Sequence, residues 1–318
     1  MSVQFGSAVR IAGLAILWGS SFLWIKLALE AFSPIQITVI RMALGATILV
    51  VVLWALKLSL PKGKKIWLYL AVAAIFGNVV PYFLFAVGEQ EVSSAIAGVV
   101  NATAPIWTVL LTVAAYRSAT SAKRNGFSLI LGFIGALLIF SPWNQGTELM
   151  TWGALACLGA AMSYGVSYIY ISHFLAREKT GVIPMATGQM ICASVITLFF
   201  IPLLGWQPIS YAATPVIALA ILGVACTGLA YILNYRIITD DGATAAAIVV
   251  YLLPVVSILL GFIVLSETIP LQVIIGMIIV LVGVWKRQPM IEREEKTIKT
   301  AATTKAEHRK ELIVKADD

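Results

Sequence analysis

The sequence predicts an all-α membrane protein: ten transmembrane helices in two inverted five-helix repeats. Three observations predict it. Of the 318 residues, 60% are hydrophobic and only 12% charged, and the mean hydropathy is +0.95, far from the roughly 25% charge of a soluble domain. The apolar residues gather into ten runs near the ~20 residues that cross a ~30 Å hydrocarbon core, separated by short polar breaks. The chain also matches itself at a spacing of 149 residues, with reversed charges at the ends of the matching runs.

The runs cover 9–29, 34–56, 66–88, 92–116, 125–141, 150–174, 182–204, 211–237, 243–265 and 271–285. None shows period-2 alternation, and in lipid only helices or closed barrels satisfy every backbone group, so helices are expected. The first run exceeds the apolar core of a signal peptide and is followed by nine like it, so it reads as a retained helix. On it Trp18, Ser21, Phe22 and Ile25 share one face. The second run carries Arg41, ~10 Å along from Pro34 at ~1.5 Å per residue. In the third, Asn78, Tyr82 and Phe85 share a face, and Pro81 loosens the backbone ladder. The fourth places Asn101 one turn before Pro105, with Trp107 and Thr108 beyond. The fifth is short and apolar. The sixth offers Tyr164, Ser167 and Tyr168, the eighth Tyr231, Asn234 and Tyr235, and the ninth Tyr251 just before Pro254. Cys157, Cys192 and Cys226 lie within runs, without metal-ligand spacing, and read as packing residues.

Short loops that cross a membrane carry few Lys and Arg. One side of the predicted bundle holds Arg10; Lys57, Lys62, Lys64 and Lys65; Arg117, Lys123 and Arg124; Arg177 and Lys179; Arg236; and Lys286 and Arg287. The other holds Glu30, Glu89, Glu91, Glu148 and Glu267, with Lys26 the only nearby cation. Both termini are therefore expected in the cytoplasm, with the chain as a multi-pass protein of the cell (inner) membrane. Residues 289–318 form a polar cytoplasmic tail with seven Lys/Arg against seven acids, so the net +7 belongs to the membrane body and no nucleic-acid partner is needed to explain it.

At the 149-residue spacing Tyr82 meets Tyr231, Ala97 meets Ala246, Val100 meets Val249 and Pro105 meets Pro254. Trp18-Gly19 falls against Tyr164-Gly165 at 146, and Arg41-Met42 against Gln189-Met190 at 148. Five helices per repeat is odd, so the second repeat enters the bilayer from the opposite side. The fourth run ends in Arg117 on the basic side; its counterpart, the ninth, ends in Ser266-Glu267 on the acidic side. The expected units are 1–142, 143–288 and the tail 289–318.

These features resemble the EamA type of the drug/metabolite transporter superfamily. The likeness is carried by Trp18-Gly19-Ser20-Ser21-Phe22, Arg41 and the segment 95–105, then by Ala243-Thr244-Ala245-Ala246 through Pro254, Glu267, Gly276 and Gly283. It covers Arg10 to Lys286. It implies ten helices, a central cavity, and export of metabolites or amino acids. Two departures stand out: Asn101 where the pattern is apolar or small, and Arg117-Ser118 where a Gly-Glu pair is common.

Polar groups inside lipid face the bundle interior and are functional candidates by default. Expected to bind solute are Trp18, Ser21, Asn78, Tyr82, Asn101, Tyr164, Tyr231, Asn234 and Tyr251. This neutral, aromatic, hydrogen-bonding set suits a zwitterion or small polar metabolite. Asn101 and Asn234 have interhelical packing bonds as a competing role. Pro105 and Pro254 are candidate gating hinges or simple kinks. Arg41, Glu89 and Glu267 are structural or coupling groups: Arg41 as a snorkelling cation, a partner of acids or a carboxylate ligand, the acids as helix caps or proton carriers. Trp67, Trp143, Trp152, Trp206 and Trp285 read as interface anchors.

An enzyme needs a cluster of titratable groups, and the only histidines are His173 and His308, without a metalloprotease or nucleophile motif. No catalytic residue, metal or cofactor is expected. The function expected is a secondary transporter that exports or exchanges small polar metabolites, amino acids among them, by alternating access. A channel, lipid scramblase or non-transporting scaffold is the alternative, and monomer and homodimer both stay open.

Overall fold

The computed structural model describes residues 2–116, 134–135, 138, 151–175, 178, 180–204, 206–209, 211–240 and 243–285. Within them every regular element is helical. The predicted fifth run (apart from 134–135 and 138), Trp143, Glu148, the loop cations Arg117, Lys123, Arg124, Arg177, Lys179, Lys286 and Arg287, and the tail 289–318 lie outside the described residues.

The first run forms α1 (Ser2–Gly19) and α2 (Ser21–Ala28), and the second forms α3 (Pro34–Ala55). The third forms α4 (Lys64–Ala74) and α5 (Val80–Gly88), joined by a π-helical turn at Ile75–Val79. The fourth forms α6 (Ser94–Asn101) and α7 (Ala104–Tyr116). The sixth is α8 (Trp152–Tyr170), closed by a π-helical turn at Ile171–Leu175, and the seventh is α9 (Val182–Leu204). The eighth is α10 (Ala213–Gly223) and α11 (Ala230–Asp240), around a π-helical turn at Val224–Leu229. The ninth and tenth are α12 (Ala243–Leu265) and α13 (Leu271–Trp285).

Six segments among the described residues are long and apolar enough to cross a membrane: Gly6–Ala28, Pro34–Ala55, Lys64–Gly88, Trp152–Leu175, Val182–Pro202 and Ala213–Asn234. Among the described residues many large apolar side chains face outward, and several polar ones are buried among the apolar core. Leu68, Phe199, Phe262, Ile263 and Leu271 are exposed, while Gln36, Arg41, Asn78, Ser163 and Thr227 are buried. In water that distribution exposes a large sticky surface; against lipid tails it is the stable one.

The fourth run differs from the expected continuous helix. Pro105 has no N–H to return to the Asn101 carbonyl and disfavours helical geometry in the residue before it. The chain answers with a tight turn, in which Ala102 N–H donates to Val99 O at 3.1 Å and Thr103 N–H to Val100 O at 3.0 Å. Pro254, its counterpart, sits inside the unbroken α12.

The two π-helical turns of the third and eighth runs begin at Ile75 and Val224, 149 residues apart. Widening a helix by one residue loosens its carbonyls, and these turns persist where another donor answers. Ser163 Oγ donates to Phe76 O at 2.8 Å, and Thr227 Oγ1 to Leu222 O at 2.9 Å.

Packing repeats with the same logic. α1 lies on α12 as α7 lies on α8, α5 lies on α8 as α11 lies on α1, and α10 lies on α2 as α4 lies on the 171–175 turn. α3 packs along the 224–229 turn, as α9 packs along α4 and the 75–79 turn, while α3 meets α9 and α6 meets α12. Exchanging the halves leaves this set of contacts unchanged, the signature of an approximate two-fold axis through the bundle. Glycine makes one mated pair of crossings possible. A Cβ on Gly19 would lie 2.6 Å from Val256 Cβ; one on Gly165 would lie 3.0 Å from both Trp107 Cβ and Thr108 N. Val256 and Trp107 are themselves 149 apart.

Acidic side chains tie run ends together. Glu267 accepts from Ser94 N at 2.8 Å, Ser94 Oγ at 3.0 Å and Ala95 N at 3.0 Å, capping α6, and Glu91 accepts from Gly153 N at 2.7 Å, capping α8. A carboxylate at a helix N-terminus satisfies orphan donors and opposes the dipole. Lys26 donates to the carbonyls of Glu89 and Val92 at 2.7 and 2.9 Å.

Candidate functional site

A cavity of about 330 Å³ lies between the two halves. Nineteen described residues line it, and eighteen of them are nine pairs related by the internal repeat. Trp18 and Tyr164, Ser21 and Ser167, Phe22 and Tyr168, and Ile25 and Ile171 are each 146 apart. Arg41 and Gln189 are 148 apart. Tyr82 and Tyr231, Phe85 and Asn234, Asn101 and Val250, and Ala104 and Leu253 are each 149 apart. Gly77 is the one unmatched member. Each repeat thus supplies the same face of the same helices, and the approximate axis runs through the cavity.

One wall is aromatic. Phe22 meets Phe85 edge-on at 5.3 Å between centroids, Phe85 lies 6.3 Å from Tyr164, and Tyr164 stacks near Tyr168 at 6.4 Å. Trp18 meets Tyr231 edge-on at 6.4 Å. Such contacts fix ring positions while leaving faces and edges for a ligand.

The polar groups are anchored at the two mated π-helical turns. Arg41 Nε donates to Thr227 Oγ1 at 2.9 Å, and its guanidinium carbon lies 3.8 Å from the Tyr82 ring centroid. Gln189 Nε2 donates to Asn78 Oδ1 at 2.7 Å, and Asn78 Nδ2 donates to Tyr231 Oη at 2.8 Å. Thr227 and Asn78 are 149 apart, so the Arg41 and Gln189 contacts are the same contact made twice. Gly77 permits the second: a Cβ there would lie 2.6 Å from Ser167 Oγ and 3.2 Å from Gln189 Nε2.

Of the residues expected from sequence, Trp18, Ser21, Tyr82, Asn101, Tyr164, Tyr231 and Asn234 line the cavity. Asn78 is fully buried behind it, holding Gln189 and Tyr231. Tyr251 is on α12, with its side chain outside those described. The carbonyls of Asn101 and Val250, which lose their amide partners to Pro105 and Pro254, belong to lining residues. Arg41 neither snorkels nor pairs with an acid among the described residues: it is 5% exposed and lines the cavity. Glu267 and Glu91 are helix caps, whereas the Glu89 carboxylate is buried with no hydrogen-bond partner among the described residues. Gln189 was missed as a site residue, although its pairing with Arg41 in the repeat was the signal that finds it.

The EamA-like transporter family matches the chain twice, over residues 7–141 and 151–285. The chain is 26% identical to the uncharacterized transporter YdfC of Bacillus subtilis over 84% of this chain and 86% of that one. It is 27% identical to an uncharacterized transporter of Archaeoglobus fulgidus over 84% and 93% of the respective chains. It is 23% identical to the uncharacterized transporter YoaV of Bacillus subtilis over 86% and 94%. One solved crystal structure superposes with a TM-score of 0.61 at 17% identity, covering 87% of this chain and 95% of its own, which shows a shared fold. With its duplicated domain, its membrane-crossing helices and its lined cavity, this chain belongs to the EamA-like transporter family and is a multi-pass membrane transporter.

Proposed function

We propose that the protein is a secondary transporter that exports or exchanges small polar metabolites, neutral amino acids among them, by alternating access at the central cavity. The carrying observation is the composition of that cavity, nine repeat-related pairs around an approximate two-fold axis. In this reading ten helices form two inverted repeats, 1–142 and 143–288, with 289–318 as a cytoplasmic tail and both termini inside the cell membrane. Inverted halves have two mirror-related packings of similar energy, and interchanging them opens a midplane site to one side and then the other. The break before Pro105 and the proline-freed carbonyl at Val250 are the hinges, since backbone without its full ladder bends at lower cost. Trp18, Ser21, Tyr82, Asn101, Tyr164, Tyr231, Asn234 and Tyr251 contact the solute, and Asn78 positions Tyr231. Glu267 is structural, through its bonds to α6.

Purified protein in liposomes is expected to exchange radiolabelled neutral amino acids. Tyr82→Ala and Tyr231→Ala remove a ring face and a hydrogen-bonded hydroxyl, and each is expected to slow exchange about tenfold, equivalent to ~1.4 kcal/mol. A broad solute screen without flux, together with unchanged metabolite release from cells lacking the protein, would end the transport reading.

A further inference from the structure

The two halves of the cavity match in position and differ in charge. Eight of the nine pairs are neutral on both sides; in the ninth, Arg41 stands opposite Gln189. No Asp or Glu is among the described lining residues. Arg41 as a residue is 5% exposed, its Nε is held by Thr227, its guanidinium face lies over Tyr82, and its terminal nitrogens, at the cavity lining, have no hydrogen-bond partner among the described residues. A fork with its stem fixed and its end donors unclaimed is built for one planar anion, because two parallel N–H···O bonds match a carboxylate. Leaving such a charge unanswered in a low-dielectric interior is costly, so the solute's own charge completes the site.

Resting on the transport reading above, we propose that Arg41 anchors a single carboxylate and that the solutes are monocarboxylates whose remainder is neutral or zwitterionic and largely apolar. One carboxylate neutralises the one cationic donor. A second has no cation to meet, since the mated position offers Gln189. A solute that is only cationic meets Arg41 as a like charge. The apolar remainder lies against the wall of Phe22, Phe85, Tyr164 and Tyr168. An α-ammonium has the ring faces of Trp18 and Tyr231 and the oxygens of Asn101 and Asn234, none of them charged. Amino acids and 2-oxo acids therefore share the anchor, and the experiment's arms separate them.

The test uses four probes with one side chain and four charges: leucine, 4-methyl-2-oxopentanoate, leucinamide and isobutylmalonate. Binding is measured by calorimetry on detergent-solubilised protein, and counterflow in liposomes. Wild type is expected to take leucine or 4-methyl-2-oxopentanoate at least tenfold better than leucinamide and isobutylmalonate. Whichever of the first two leads identifies the solute class. Arg41→Gln is expected to lose that discrimination, Arg41→Lys to keep part of it, and Arg41→Gln with Gln189→Arg to recover it, because the swap moves the fork to the mated position. A merely structural arginine predicts no recovery in the swap. An Arg41→Gln protein that remains monodisperse and discriminates like wild type overturns the anchor. Arg41-dependent binding without counterflow leaves the anchor standing and overturns transport, whereas counterflow independent of Arg41 does the reverse.

Discussion

Glu89 is the residue whose cost is plainest. It lies one position past the span Lys64–Gly88, fully buried, with neither carboxylate oxygen bonded among the described residues. Burial pushes its carboxyl well above the ordinary 4.5; Lys26 pulls it back, Glu267 adds to the rise, and Arg41 opposes it. Cys157 faces it from α8. The folded state therefore holds this proton to higher pH than the unfolded chain does. Stability contributed here is intact below the ordinary value and falls as pH climbs from it toward the raised one. Thermal unfolding in detergent is expected to show a Tm that falls as pH rises above the ordinary carboxyl range, and Glu89→Gln is expected to flatten that fall. An unchanged slope in the variant would mean the carboxyl is paired or hydrated. Lining residues such as Trp18, Tyr82 and Asn101 were legible because polar and aromatic groups stand out in an apolar run. Glu89 read as a cap or a partner for Arg41 because the groups beside it, Lys26 of α2 and Cys157 of α8, are distant in sequence.

Close crossings are the element-scale determinant. On α8, Gly165 meets backbone of α7, whereas Gly159 meets only Leu84 Cδ1, 3.3 Å from where a Cβ would lie. A methyl at 165 must push two helices apart, an overpacking cost of about 1–3 kcal/mol. A methyl at 159 displaces one flexible side-chain end and gains helix propensity of up to ~1 kcal/mol. Gly165→Ala is therefore expected to lower Tm clearly and Gly159→Ala to leave it level or raise it, read by thermal unfolding of matched detergent preparations. Equal responses would show that the α7–α8 approach is looser than described. The helices themselves followed from apolar run length, and α9, α12 and α13 have the expected bounds. The π-helical turns did not, because what sustains the first is a hydroxyl on another helix, Ser163 against the Phe76 carbonyl. Nor did the break at Ala102 and Thr103, since Pro105 and Pro254 are the same residue in the same register with different local outcomes.

At the scale of the molecule, the duplication was legible wherever the two halves align without a gap, and the cavity lining obeys the same spacings. The two-fold packing was not, because it depends on which helices meet across the halves. Inversion is the step by which duplication would give the proposed alternating access, and matched positions test it. α4 begins at Lys64 and α10 at Ala213, 149 residues apart and both exposed. Lys57, Lys62, Lys64 and Lys65 surround the first, while 206–212 contains no Lys or Arg. If positive charge is retained in the cytoplasm, the two helix starts are expected on opposite faces of the bilayer. Cys157 and Cys226 are buried, so replacing Cys192 by Ser gives a background that labels little. In that background Lys64→Cys is expected to react with a membrane-impermeant maleimide only after cells are opened, and Ala213→Cys in intact cells. Labelling of both from one side would make the repeats parallel. The two packings would then no longer be mirror images across the membrane plane, and the cavity would lose its reason to open to each side in turn.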